Sequence, residues 1–353
     1  MKVQYILLIC MFLCTGCSEE INRNNQVTSE QKLQKDIPSA TKDFFAMDTY
    51  MQVTAYGTRA EEAVSQAQVR VEELDRMLST GIEDSEVSLL NCTAEGTLSE
   101  EAFYLMTRSL DIWKMTEGAF DPAIYPLMEI WGFPTGEYQV PDKEEIDRQL
   151  ANTNPENIKL YKDTRKVEFT QKGLKIDFGG IAKGYTSAQI MEIFREYNIE
   201  SGMVTLGGNV QVLGRKPDGS LWRVGIQNPN PEEDYLGVLE TENKAVITSG
   251  GYERYFEQDG KVYHHILNPA TGYPAENGLK SVTIVSEDGV LADALSTSLF
   301  VMGIKQAREF WVHSGAEFDI ILFTEDGKLY VSEGIADSFI TDFDMEVVRK
   351  DGE

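Results

Sequence analysis

Basic residues are scarce in this chain: 32 lysines and arginines stand against 58 aspartates and glutamates, a formal net charge of −26. That balance argues against nucleic acid as a partner, because such binding needs a basic footprint. Cysteine is nearly absent beyond the start. Cys10, Cys14 and Cys17 fall in the first 17 residues and leave Cys92 alone, so the remainder has no intramolecular disulfide. No apolar run reaches the roughly 20 residues of a membrane-spanning helix. Tandem repeats and low-complexity tracts are missing from the main body. Its most conspicuous glycine turn has neither the G-x-G-x-x-G nor the P-loop spacing, so the usual nucleotide fingerprints do not apply.

What is present begins with Lys2, an apolar run over Ile6–Leu13 and then Cys14-Thr15-Gly16-Cys17. This reads as an export signal, 1–17, ending in small residues similar to a lipobox, with Cys14 where Leu is usual. Cys17 is then the expected lipidated N-terminus. Residues 18–42, rich in Asn, Gln, Ser, Lys and Glu, are expected to be a flexible tether. Residues 43–353 suffice for one large domain or two intimately packed ones. The expected location is extracytoplasmic, lipid-anchored on the periplasmic side or outer face of the cell membrane.

Along the body, Phe44–Tyr56 alternates as a strand and Arg59–Leu78 carries apolar residues three and four apart, as a core-facing helix does. Ser79–Asn91 reads as a polar loop with a capped turn at Asp84-Ser85-Glu86. Ser99–Glu117 predicts a helix buried through Phe103, Met106, Leu110 and Trp113. The aromatic stretch Tyr125–Phe133 must pack, either as core or as the wall of a pocket for a flat ligand. Asp142–Ala151 predicts a peripheral helix; Ile158–Tyr161 and Val167–Thr170 predict short strands. From Gly202 to Val262 the pattern is β-rich, with a kink at Gly207-Gly208. Ser281–Ser286 predicts a strand, Val290–Met302 a helix, and Phe318–Ser332 a hairpin.

The stretch Lys175–Thr186 organises this order. Leu174, Ile176 and Phe178 alternate as a strand end that delivers Asp177, Gly179-Gly180 permit a sharp turn, and a helix follows. Free N–H groups at a helix start suit an anion, and Lys183 in the first turn could reach a phosphate; the same turn also occurs as a purely structural device. Asp293, Ser296 and Thr297 share one face of their helix. They are hard oxygen ligands suited to Mg²⁺, or else local backbone partners. A chain this acidic would need a cation to hold a phosphorylated ligand.

Seven segments in order resemble the ApbE family of flavin transferases, over roughly Phe44 to Ser314: Asp84–Ser88, Gly118–Pro122, Asp177–Tyr185, Leu206–Asn209, Thr248–Tyr252, His265–Pro274 and Ala292–Thr297. The resemblance implies an α+β fold (mixed α/β, ApbE-like and T-fold-like) of largely antiparallel sheets covered by helices, not a Rossmann layer. It implies transfer of the FMN moiety of FAD to a threonine hydroxyl of an acceptor flavoprotein, with release of AMP and dependence on Mg²⁺. The acceptor is expected to be a membrane redox complex subunit or an extracytoplasmic electron-transfer flavoprotein. By similarity, FAD contacts fall on Met47, Ala119, Phe120, Asp121, Asp177, Lys183 and the backbone around Leu267. Metal ligands fall on Asp293, Thr297 and the Gly180 carbonyl, with Ser296 nearby. His265 is the candidate base, or a brace for its own loop. Two positions depart from many relatives: Gly81 replaces an aromatic and Asn268 an aspartate. FAD hydrolysis to FMN and AMP, and FAD binding without catalysis, are the alternative readings.

Overall fold

The computed structural model describes residues 37–230 and 234–350. The expected export signal, Cys17 and residues 18–36 lie outside them. In chain order the described elements begin with β1 (Ser39–Ala46), β2 (Thr49–Tyr56), α1 (Ala60–Leu78), α2 (Glu86–Thr93), β3 (Glu95–Thr97), α3 (Glu100–Met115), α4 (Tyr125–Trp131), α5 (Lys143–Leu150), β4 (Ile158–Tyr161) and β5 (Lys166–Phe169). There follow α6 (Ala182–Glu196), β6 (Ser201–Leu206), β7 (Asn209–Leu213), β8 (Trp222–Gln227), β9 (Tyr235–Thr241), β10 (Ala245–Gly250), β11 (Tyr255–Gln258) and β12 (Lys261–His264). The chain closes with β13 (Leu279–Ser286), α7 (Gly289–His313), β14 (Asp319–Thr324), β15 (Leu329–Ser332), β16 (Phe339–Ile340) and β17 (Met345–Val348).

A nine-stranded sheet runs β1-β2-β6-β7-β10-β13-β14-β15-β17. Every neighbouring pair is antiparallel except β15 with β17. Helices α1, α6 and α7 pack on its strands. The central strands are apolar on both faces, and their period of two splits them between two cores. Ala245, Ile247, Val282, Ile284, Ile320 and Leu322 face the α7 core. Val246, Val285, Ile321 and Phe323 face the core shared with β8, β9 and β16. A further small sheet, β3-β5-β4, lies with α2 and α3 around a third core that includes Leu90, Leu105, Val167 and Phe178. Among the described residues no helix is long and apolar enough to cross a membrane.

Several expectations change. Residues 39–42, expected to belong to the tether, are instead part of β1, which pairs with β2 from Ser39↔Tyr56 to Ala46↔Thr49. The single strand expected at Phe44–Tyr56 is therefore a hairpin turning at Met47-Asp48, both with positive φ. The buried stripe of α3 is Ala102, Leu105, Met106, Ser109 and Ile112, one position round from the expected one. Small residues at 102 and 109 let the helix sit close, leaving Phe103, Leu110 and Trp113 half-buried. The helix expected over Val290–Met302 does stop there: Gly303, with φ of 74° and Asn277 packed against it, interrupts α7, and a further helical stretch runs on to His313. The polar loop before Asn91 does carry its cap: the Ser85 hydroxyl accepts the Ser88 N–H at 2.9 Å and starts α2.

Candidate active site

The segment Leu174–Phe178 is extended, yet it is not a strand. Its partner is a side chain. The Asn91 amide donates to the Ile176 carbonyl at 2.8 Å and accepts the Ile176 N–H at 2.7 Å, doing from α2 what a neighbouring strand would do. The Asp177 N–H reaches the Pro122 carbonyl at 2.9 Å, so the Gly118–Pro122 segment lies alongside. The chain then turns: the Gly179 N–H donates to Asp177 Oδ1 at 3.0 Å, and α6 begins at Ala182. A Cβ on Gly180 would stand 3.1 Å from the Phe120 ring and 3.9 Å from Thr297 Oγ1. Phe120, Gly180 and Thr297 therefore meet.

Helices α6 and α7 cross at two glycines. A Cβ on Gly184 would lie 2.1 Å from the Gly289 carbonyl oxygen, and one on Gly289 would lie 2.9 Å from that of Gly184. This close approach carries Asp293, one turn along α7, to the start of α6. Its Oδ2 accepts the Gly184 N–H at 2.8 Å and its Oδ1 accepts Asn209 Nδ2 at 3.0 Å. The carboxylate thus caps, from another helix, one of the donors left open at a helix start. Lys183 Nζ is 4.0 Å from Asp293 Oδ1 and 3.4 Å from the Gly179 carbonyl. Beside Asp293, Ser296 Oγ donates to the Asp293 carbonyl at 2.7 Å and shares a 2.7 Å hydrogen bond with Ser249 Oγ, which lies 3.4 Å from Thr297 Oγ1.

Charge in this cleft is poorly solvated. Burial pushes the Asp121 carboxyl up to about 7 against the opposing Ala123 N–H. The surrounding protein raises Glu253 as well, with the charge of Lys183 opposing and that of Asp293 adding. Burial raises Asp177 too, against the Gly179 N–H and Lys183. His265 goes the other way, down to about 3, chiefly through burial; its hydrogen bond to the Arg254 carbonyl opposes this, and the charges of Arg254 and Lys183 add to it. Its Nδ1 lies 3.1 Å from the Arg254 carbonyl oxygen. The neutral ring therefore carries its proton on Nδ1, leaving Nε2 as the basic nitrogen. The brace is present.

The cleft brings together Phe120, Asp177, Gly180, Lys183, Asp293, Ser296 and Thr297, with His265 in electrostatic reach of Lys183. Asp121 follows Phe120, its Oδ1 turned back to the Ala123 N–H at 2.7 Å. Met47 sits one turn further along α6, its sulfur 3.7 Å from Thr186 Oγ1. Ala119 packs against the α7 core, and the Leu267 side chain lies in the aromatic cluster of Trp131 and Phe133. The aromatic stretch is thus core: Trp131 Nε1 donates to the Gly272 carbonyl at 2.8 Å. Sequence reasoning assigned no role to Asn209, Ser249, Glu253 or Arg254. For Asn209 and Ser249 the runs Leu206–Asn209 and Thr248–Tyr252, dense in Gly, Ser and Asn, were the available signal; Glu253 and Arg254 follow directly after the second. A separate recess of about 310 Å³, lined by Lys244, Trp311, Asp319 and Lys350, contains none of these residues.

Among the described residues no three acidic, imidazole or thiol side chains converge. The donor set is one carboxylate with hydroxyl and carbonyl oxygens, each Asp293 oxygen accepting one described hydrogen bond and keeping a second lone pair. This fits Mg²⁺, which keeps waters and takes phosphate oxygens instead of demanding a protein cage.

The ApbE family model matches residues 47–322, which include every residue of this cleft. The chain belongs to the ApbE family. An FAD:protein FMN transferase of Klebsiella pneumoniae (strain 342) is 35% identical over 67% of this chain and 73% of its own length. The ApbE protein of Thermotoga maritima MSB8 superposes with a TM-score of 0.80 at 33% identity, over 84% of this chain and 98% of that one. The flavin transferase ApbE of Vibrio cholerae gives 0.76 at 26%, over the same shares. The ApbE architecture, antiparallel sheets with helices packed on them, is the one described above.

Proposed function

We propose that this chain transfers the FMN moiety of FAD to a threonine hydroxyl of an acceptor flavoprotein, releasing AMP. The transferase class follows from membership of the ApbE family; the chemistry is read from the cleft. The observation that carries it is the approach of Lys183 to Asp293, which puts a cation suited to phosphate 4.0 Å from a hard-cation ligand.

In this reading the threonine oxygen bonds to the FMN-side phosphorus, the bridging P–O bond breaks, and AMP leaves with the bridging oxygen. Lys183 holds the diphosphate, Phe120, Asp121, Asp177, Met47 and Ala119 border the dinucleotide, and the backbone at Leu267 closes the pocket. Asp293, Thr297 and the Gly180 carbonyl, with Ser296 beside them, would hold Mg²⁺, which neutralises charge on the diphosphate. His265 receives the hydroxyl's proton through Nε2. It is a weak base in the free chain, and an arriving dianion beside it raises its basicity. Anchoring through Cys17 would present the cleft to a membrane redox subunit or an extracytoplasmic electron-transfer flavoprotein.

The test is intact-mass spectrometry of the full chain with FAD, Mg²⁺ and a flavoprotein domain bearing a surface threonine, with and without EDTA. An acceptor gain of one FMN residue, lost with EDTA and with Asp293→Asn, supports the reading. Free FMN and AMP beside unmodified acceptors would turn it to hydrolysis, and intact FAD throughout would turn it to a binding protein.

A further inference from the structure

We infer that Asn209 is a positioning residue that aligns the Asp293 carboxylate for a divalent cation, an inference resting on the Mg²⁺ reading above. Its position has no slack. The β6–β7 connection is the two-residue turn Gly207-Gly208, with φ of 57° and 94°, closed by the pair Leu206↔Asn209. A Cβ on Gly207 would meet Thr49 Oγ1 at 2.3 Å, so the turn is also wedged against β2. Asn209 at its exit is 3% exposed, and its amide is spent on Asp293 Oδ1 at 3.0 Å. The Gly184 N–H holds the other oxygen at 2.8 Å. One donor on each oxygen stops rotation of the carboxylate and leaves each oxygen a lone pair for a metal. The amide is neutral, so it orients the anion without competing as a cation, and Lys183 stays free for phosphate. Two residues on, Gln211 faces the same side and accepts the Ser187 hydroxyl of α6 at 2.6 Å. Strand β7 thus braces both the helix start and the carboxylate that caps it.

The experiment is a Mn²⁺ titration of the full chain followed by electron paramagnetic resonance, on the unaltered protein, Asn209→Leu and Asn209→Gln. Leu keeps the volume and removes the donor; Gln keeps the donor one methylene out of place. We expect Mn²⁺ affinity to fall tenfold or more in Asn209→Leu and less in Asn209→Gln, with FAD affinity in EDTA within twofold. In turnover, the Mg²⁺ requirement should rise while kcat recovers at saturating Mg²⁺, a split that a merely structural role would not produce. Unchanged Mn²⁺ affinity in folded variants, or a kcat loss that Mg²⁺ does not relieve, would overturn the inference. Loss of fold in both variants, judged by near-UV circular dichroism, would make Asn209 structural and overturn it equally. No Mn²⁺ bound by the unaltered chain would remove the metal site and the inference together. Mn²⁺ bound with these effects, but no FMN transferred, would overturn only the functional reading.

Discussion

Lys183 Nζ stands 4.0 Å from Asp293 Oδ1, near enough for the charges to attract and too far for a hydrogen bond. The ammonium is held loosely, with the Gly179 carbonyl at 3.4 Å as its hydrogen-bond acceptor, and can turn toward an arriving anion. Lys183→Ala should therefore weaken FAD binding by roughly 1.5–3 kcal/mol, on the order of ten- to a hundredfold in Kd. Fluorescence titration in EDTA measures it, and an unchanged Kd would place the ammonium off the ligand.

The Asn91 bracket on Ile176 should matter to both stability and binding. Asn91→Ala removes two hydrogen bonds and leaves part-buried backbone groups unpaired, a cost of about 1–3 kcal/mol. Urea unfolding should show a lower midpoint. FAD affinity should fall with it, because the glycine turn hangs on this segment.

Asp121 supplies a pH signature. Its folded pKa of about 7 lies above the ordinary 3.8, so its stabilising contribution is complete below about pH 3.8 and is lost as pH rises through 7. Compared with Asp121→Asn, the unaltered chain should lose up to about 4 kcal/mol between pH 4 and pH 8. Thermal melts of both proteins across that range check the sign, and parallel curves would place the carboxyl in water.

His265 has the opposite sign. Its pKa is held at about 3, below the ordinary 6.5, so its contribution is present above pH 6.5 and fades as pH falls toward 3. The advantage of the unaltered chain over His265→Gln should shrink on acidification from pH 7 to pH 4. In the chain without FAD, proton NMR of the His265 ring should show no titration near 6.5, and a resonance titrating there that is absent in the variant would contradict the assignment.

Much of the site was legible where its geometry is local. Asp293, Ser296 and Thr297 share a helix face because a helix repeats every 3.6 residues. The Gly207-Gly208 kink was legible because only a tight turn calls for consecutive glycines at that place. The alternation of Leu174, Ile176 and Phe178 was read as a strand, and here pattern and pairing part company. Period two reports an extended chain, while membership of a sheet depends on what lies beside it, here Asn91, 85 positions away. The Phe44–Tyr56 pattern missed β1 for a related reason. Ser39–Lys42 is polar, and its strand is held by backbone pairing to β2.

Local order thus lay within the residues: the caps, the turns, the helix and strand periods, and the oxygen chemistry of the side chains on offer. Which of those groups touch was settled by the crossing of α6 and α7 and by the wedge of the β6–β7 turn. Asp293 meets Gly184 and Asn209 across 109 and 84 positions of chain, separations over which no local periodicity carries information. Backbone contact at Gly184 and Gly289, where any Cβ would collide, brings them within hydrogen-bond reach.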